Sequence, residues 1–168
     1  ATYANIEVRN GSRVKSEFSN FWAPGATLNI ARSSEQSSVY VHSSNGEFVS
    51  SQAGQGMNGF GAVAGSKIVA TDCIANANTH DAFHIVGNST LQWSGSTAEG
   101  EKQADQVGVR FETGSVGVLA LGGISGCSRA GISAGNRSHV FETVATSQSG
   151  SDDAVSNASI TTNLGEFT

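Results

Sequence analysis

The sequence predicts an all-β chain wound as a parallel β-helix, a single-stranded solenoid of about seven coils of roughly 24 residues. Three observations predict it. A short motif recurs at near-constant spacing: Asn58 to Gly65, Thr79 to Asn88, Asp105 to Phe111, Arg129 to Asn136 and Asp153 to Ala158 follow one another at steps of 23 (58 to 81), 24 (81 to 105), 24 (105 to 129) and 24 (129 to 153). The apolar runs are short and alternate with polar residues, bounded by Gly, Ser or Asn, as strands are. No stretch places apolar residues at i, i+3, i+4 and i+7, so no amphipathic helix is expected.

Taken in order, a second set of strands accompanies the recurring one. It reads Ile6-Glu7-Val8, Leu28-Asn29-Ile30, Ile68-Val69-Ala70, Leu91-Gln92-Trp93, Val118 to Leu121 and Val140 to Val144. Brief polar segments lie between the two sets: Ala75 to Asn78, Ser96 to Glu99, Gly126 to Ser128 and Thr146 to Ser149. Stacking the coils should put Phe60, Phe83 and Val107 in one inward column, with Val63, Ile85 and Val109 beside it. The alternative is an antiparallel β-sandwich or jelly roll, which strands at this spacing also serve. A sandwich needs no register near 24 residues, and Asn-Gly turns are confined to Asn10-Gly11, Asn45-Gly46 and Asn58-Gly59.

The 168 residues suffice for one domain, spanning 1–168, and no linker stands out. The first third is the least regular, with Phe18, Phe21 and Trp22 ahead of Pro24-Gly25. A net charge of -5, with 9 basic residues and no basic run, argues against a nucleic-acid partner. No apolar run approaches the roughly 20 residues of a membrane span. The opening Ala1-Thr2-Tyr3-Ala4 has no charged and apolar leader, as in a mature form or a fragment of a longer chain. Cys73 and Cys127 make no disulfide framework and read as free, largely buried thiols. His80 and His84 stand four apart, which on a strand does not place them on one metal, and no zinc or calcium signature is found; neither metal nor cofactor is expected. Asn10, Asn88, Asn136 and Asn157 open Asn-x-Ser/Thr sequons.

The pattern carried by Ile68 to Asn88 is apolar-x-apolar, Asn-x-Asn, Asp-x-Phe-x-Ile and Gly-Asn, and it is echoed from Asn58 to about Ile160. It resembles the right-handed parallel β-helix superfamily of pectate-lyase-like enzymes, alginate epimerases and lyases, and bacteriophage tailspikes. The motif is specific for fold and weak for function. The resemblance implies a module at the virion or extracellular surface that meets a polysaccharide along its flank. It implies homotrimers or further domains of the same chain, since a solenoid's ends need cover.

If such a module cleaves its glycan, as a lyase or glycoside hydrolase, carboxylates on one outer face would serve as acid and base. Asp81 and Asp105 are then the candidates, stacked about 5 Å apart. Arg129, His84 and Asp153 would bind substrate, and Trp93 would stack on a sugar ring if exposed. The same Asp positions suit residues that cap a turn, and Trp93 alongside Leu91 suits the core. The aspartate pairs and Gly-His-Gly of polygalacturonases and the Asp-Pro-His of alginate epimerases do not occur. A purely structural or adhesive fibre module is the reading of another class.

Overall fold

The computed structural model describes residues 6–22, 37–100 and 106–142, together with strand backbone at 145–146, 153–154 and 159–162. The described residues form a parallel β-solenoid and contain no helix. β1 (Ile6–Val8), β2 (Arg13–Glu17) and β3 (Asn20–Trp22) run along the first coil. β4 (Ser37–His42), β5 (Asn45–Val49) and β6 (Gln52–Gly54) follow, then β7 (Asn58–Val63), β8 (Lys67–Thr71) and β9 (Ile74–Asn76). In the next two coils the second and third legs merge. β10 (Phe83–Val86) leads to β11 (Thr90–Glu99), and β12 (Val107–Glu112) to β13 (Val116–Ser125). β14 (Ala130–Ala134), β15 (His139–Glu142), β16 (Ala145–Thr146), β17 (Asp153–Ala154) and β18 (Ser159–Thr162) complete the series.

Each pairing among these strands is parallel, which rules out the antiparallel sandwich. Sheet A is the seven-stranded stack β1-β4-β7-β10-β12-β14-β17. Sheet B is the stack β2-β5-β8-β11-β13-β15-β18, with β3, β6, β9 and β16 forming a third leg on the same sheet. Complete turns traced by described residues number about four, fewer than the seven expected. The expected strand Leu28-Asn29-Ile30 lies outside the described residues. Ile6-Glu7-Val8 belongs to sheet A and not to the second set of strands, because β1 pairs with β4.

The register is regular, but its step is not fixed. Phe60 pairs with Phe83 at a step of 23 (60 to 83), Phe83 with Val109 at 26 (83 to 109), and Val109 with Ile132 at 23 (109 to 132). Val109, not Val107, therefore stacks on Phe83, and Phe111 stacks on Ile85. These side chains are fully buried and form the core with Phe48, Ile68, Leu91 and Ile124. Aromatic rings run through it. Phe60 and Phe83 stack at 4.8 Å and 11°, Phe48 meets Phe60 at 5.4 Å, and Phe83 meets Trp93 at 5.1 Å. Such ring pairs add about 0.5–1.5 kcal/mol each beyond area burial.

The corner between sheets A and B repeats one device. The chain turns through left-handed backbone at Asn10-Gly11 (φ 61 and 74), Ser43 (48), Ala64-Gly65 (55 and 74), Gly87-Asn88 (70 and 59), Thr113-Gly114 (56 and 73) and Asn136-Arg137 (51 and 65). Gly and Asn tolerate that region best, which accounts for their recurrence here. A serine follows each corner, and Ser44, Ser66, Ser89, Ser115 and Ser138 are buried. Each hydroxyl from Ser66 onward accepts the N–H of its counterpart one coil earlier: Ser44 to Ser66 at 3.3 Å, Ser66 to Ser89 at 3.1 Å, Ser89 to Ser115 at 3.3 Å and Ser115 to Ser138 at 3.1 Å. The Ser89 and Ser115 hydroxyls donate in turn to the Val86 and Glu112 carbonyls, both at 2.7 Å. A buried amide left without its acceptor costs about 1–3 kcal/mol. Ser89→Ala should therefore lower the unfolding free energy by about 1–3 kcal/mol. Ser94→Ala, at an exposed position of sheet B, should stay within about 0.5 kcal/mol. Urea titrations of the two variants check this.

Candidate functional site

On sheet A the register sets His84, Arg110, Ser133 and Asp153 in one row across β10, β12, β14 and β17. Asp81 stands just before β10 with 0% of its surface exposed. Arg110 reaches back to it side-on, Nε donating to Oδ2 at 2.7 Å and Nη2 to Oδ1 at 3.1 Å. Arg110 is itself buried, so this is an ion pair within the protein and not on its surface. The Asp81 backbone N–H donates to Asn58 Oδ1 at 3.3 Å, the turn arrangement expected of Asn and Asp at this position. Arg110 Nη1 lies 4.0 Å from Glu112 Oε1, and Glu112 Oε2 lies 3.6 Å from the Nε2 of buried His84. Gln106 Nε2 donates to the Asn78 carbonyl at 2.8 Å.

This geometry changes the standing of the residues singled out in the sequence. Both Asp81 oxygens are engaged and none of the side chain meets solvent, so Asp81 anchors the turn and Arg110. Asp105 lies outside the described residues. The expected stacking of Asp81 on Asp105 does not follow from the register. Two positions before the Phe83–Val109 pair, Val107 stands level with Asp81, because the step here is 26 and not 24 (83 to 109). Arg129 is exposed in the turn before β14, where its N–H donates to the Gln106 carbonyl at 3.0 Å. It sits one position off the Asp81 level, which falls on Ala130. Asp153 shares the row of Ser133, Arg110 and His84 rather than that of Asp81. Trp93 is 2% exposed and its Nε1–H donates to the Leu121 carbonyl at 2.8 Å, which makes it core and not a sugar platform. Arg110 and Glu112 escaped notice in the sequence because a fixed step hid their place beside His84. The available signal was a lone Arg inside the apolar run Val107 to Phe111.

The outer face of sheet B is differently built. Its outward positions form rows across the coils. One row is Arg13, Asn45, Lys67, Thr90, Val116 and His139; the next is Lys15, Glu47, Val69, Gln92, Val118 and Phe141. Two hollows lie along them. One, of about 240 Å³, is lined by Arg13, Asn45, Gly46, Glu47, Lys67 and Val69. The other, of about 160 Å³, is lined by Val69, Thr71, Gln92, Ser94 and Val118, with buried Ala70 and Trp93 beneath them. Val69 belongs to both, so they read as one trough. Val118 is 43% exposed and Phe141, its neighbour in register, 50%. The trough thus has an apolar floor with amide and hydroxyl groups beside it at one end, and charged groups at the other. Among the described residues no group of three or more His, Cys, Asp or Glu could hold a metal ion.

Cys73 and Cys127 are free and buried, as expected. Burial pushes the Cys73 thiol up from its ordinary range, and its Sγ donates to the Phe48 carbonyl oxygen at 3.2 Å. Comparison with protein-family models, with curated proteins and with solved structures gave no match.

Two outcomes follow. Asp81→Asn removes the buried carboxylate that Arg110 holds side-on, leaving Glu112 at 4.0 Å, and should cost about 3 kcal/mol in a urea titration. Replacing both partners, as Asp81→Leu with Arg110→Met, should restore most of that loss. For Cys73, the folded state favours the neutral thiol. Its contribution is therefore intact below the unfolded pKa and is lost as pH rises through the folded value. Iodoacetamide should label Cys73 slowly at neutral pH until denaturant is added, and stability should begin to fall above about pH 8.5.

Proposed function

We propose that the chain is a right-handed, pectate-lyase-like and tailspike-like β-helix module that binds a bacterial surface polysaccharide. We place it at the virion or extracellular surface, with the glycan lying along the outer face of sheet B. The observation that carries this reading is the trough over β5, β8, β11 and β13. Its apolar strip at Val69 and Val118 suits the C–H face of a sugar ring. Gln92, which stands between the two valines, and the flanking Thr71 and Ser94 suit its hydroxyls. The right-handed winding is favoured by the strong preference of parallel crossovers for that hand. Side-by-side trimers, or further domains of a longer chain, complete the proposal. The exposed Phe18 (80%) and Leu121 (67%) at the corner between sheet B and the third leg are apolar surface that such contacts would cover.

Burial of Asp81 favours recognition over cleavage by that carboxylate. The same burial suits the second reading, a structural or adhesive fibre module with no ligand, in which the ion pair and the serine ladder serve the rod alone.

The test is titration of the protein with a panel of capsular and lipopolysaccharide O-antigen glycans, alongside Gln92→Ala and Val118→Asp. The parent should bind at least one glycan, and each variant should bind about tenfold more weakly with an unchanged circular dichroism spectrum, a loss of roughly 1.4 kcal/mol. No binding by the parent, or full binding by both variants, contradicts the proposal. Release of reducing ends by the parent would add cleavage to it.

A further inference from the structure

We infer that His84 and Glu112 form a proton-operated clamp between the coil that begins with β10 and the coil that begins with β12. The clamp is open while the imidazole is neutral and closes when the ring takes up a proton. It lies on sheet A, away from the trough, and does not depend on the glycan reading.

The starting point is a buried ring left without partners. His84 is 4% exposed, and neither Nδ1 nor Nε2 has a hydrogen-bond partner. A neutral imidazole offers one donor and one acceptor, and both are idle here. Glu112 Oε2 stands 3.6 Å from Nε2, just beyond hydrogen-bond reach. Protonation makes the ring a cation with a donor at each nitrogen. A short movement of the carboxylate then forms a charge-assisted hydrogen bond across the two strands. Glu112 is the partner able to move, since its side chain is partly exposed while Arg110 and His84 are buried.

The other groups around the ring leave this role to Glu112. From β12, Arg110 stands level with His84, but Asp81 holds its guanidinium side-on through two hydrogen bonds and meets its charge there. From β7 the level residue is Gly61, and that strand carries no titratable group. Along its own chain, His80 turns its Nδ1 to the Thr79 carbonyl at 2.9 Å. Farther off, β4 carries Tyr40 and His42 two strands away, β14 carries no titratable group, and Asp153 stands on β17, three strands away.

The clamp closes at a corner that the stack depends on. Glu112 ends β12, and its carbonyl accepts the Ser115 hydroxyl at 2.7 Å and the Gly87 N–H at 3.3 Å. A bond from its carboxylate to His84 would brace the same corner from the outer face. The bond exists only while the ring carries its proton. Its contribution is therefore present at the acid end of the range in which histidines change charge, about pH 5 to 8, and is lost as pH rises through it.

The test is a double-mutant cycle with His84→Gln and Glu112→Gln, measured by urea titration at about pH 5.5 and about pH 8. At the acid pH the two side chains should show a coupling of about fivefold in the unfolding equilibrium constant, and at the alkaline pH the coupling should vanish. The approach of Glu112 to Arg110, at 4.0 Å, is common to both pH values and cancels in the cycle. A second measurement needs no variant. In NMR spectra of the parent, the Glu112 side-chain carboxyl signal should shift in step with the titration of the His84 ring. Equal coupling at both pH values, no coupling at the acid pH, or a Glu112 signal that stays still while His84 titrates overturns the clamp.

Discussion

The structure depends on one constraint, that each coil must lie in parallel register on the next. A single coil has too little apolar surface to fold alone, and its strands find backbone partners only in its neighbours. The corner between sheets A and B meets this constraint at a fixed place. Left-handed backbone turns the chain, and a buried serine then accepts an amide of the preceding coil, from Ser66 through Ser138. Because each hydroxyl serves one neighbour as acceptor, a shift of register would leave several buried amides unpaired at once. The ladder pins the stack where an apolar contact, being non-directional, would not.

From that register come two faces of different character. On sheet A it brings Arg110 level with His84 and within reach of Asp81, and the resulting ion pair is buried. Such a pair contributes geometry more than stability, since desolvation offsets its Coulomb attraction. On sheet B the same stacking aligns outward side chains into rows, so that Val69, Gln92 and Val118 form a continuous strip at about 4.8 Å per coil. A repeating ligand would be matched by such a repeating surface, and this favours the flank over the buried cluster in the proposal.

The sequence made the solenoid legible through its repeat, and its parallel strands and buried Phe60, Phe83 and Ile85 through alternation. It did not yield the variable step. Along sheet A the step runs 33 (6 to 39), 21 (39 to 60), 23 (60 to 83) and 26 (83 to 109), and the last of these brings Val107 to the level of Asp81. Insertions between strands change no local propensity, so periodicity alone does not locate them. The serine ladder was present in the text as Gly-Ser and Asn-x-Ser pairs, but among 25 serines its spacing was masked by the same variation. The sequons at Asn10, Asn88 and Asn136 have a structural cause in it, since Asn tolerates the left-handed corner and the serine follows for the ladder. The site residues were the least legible. Burial of Asp81 and Trp93 depends on what stacks above and below them, which is a property of the assembled coils.

The outer face of sheet B is the proposed recognition surface. It is tested most directly by mapping backbone amide shifts in NMR spectra during titration with a glycan that the protein binds. The account predicts perturbations centred on Lys67, Val69, Gln92 and Val118, with His84, Arg110 and Glu112 unmoved. Perturbations centred on the His84–Arg110 row of sheet A, with sheet B unmoved, would contradict it.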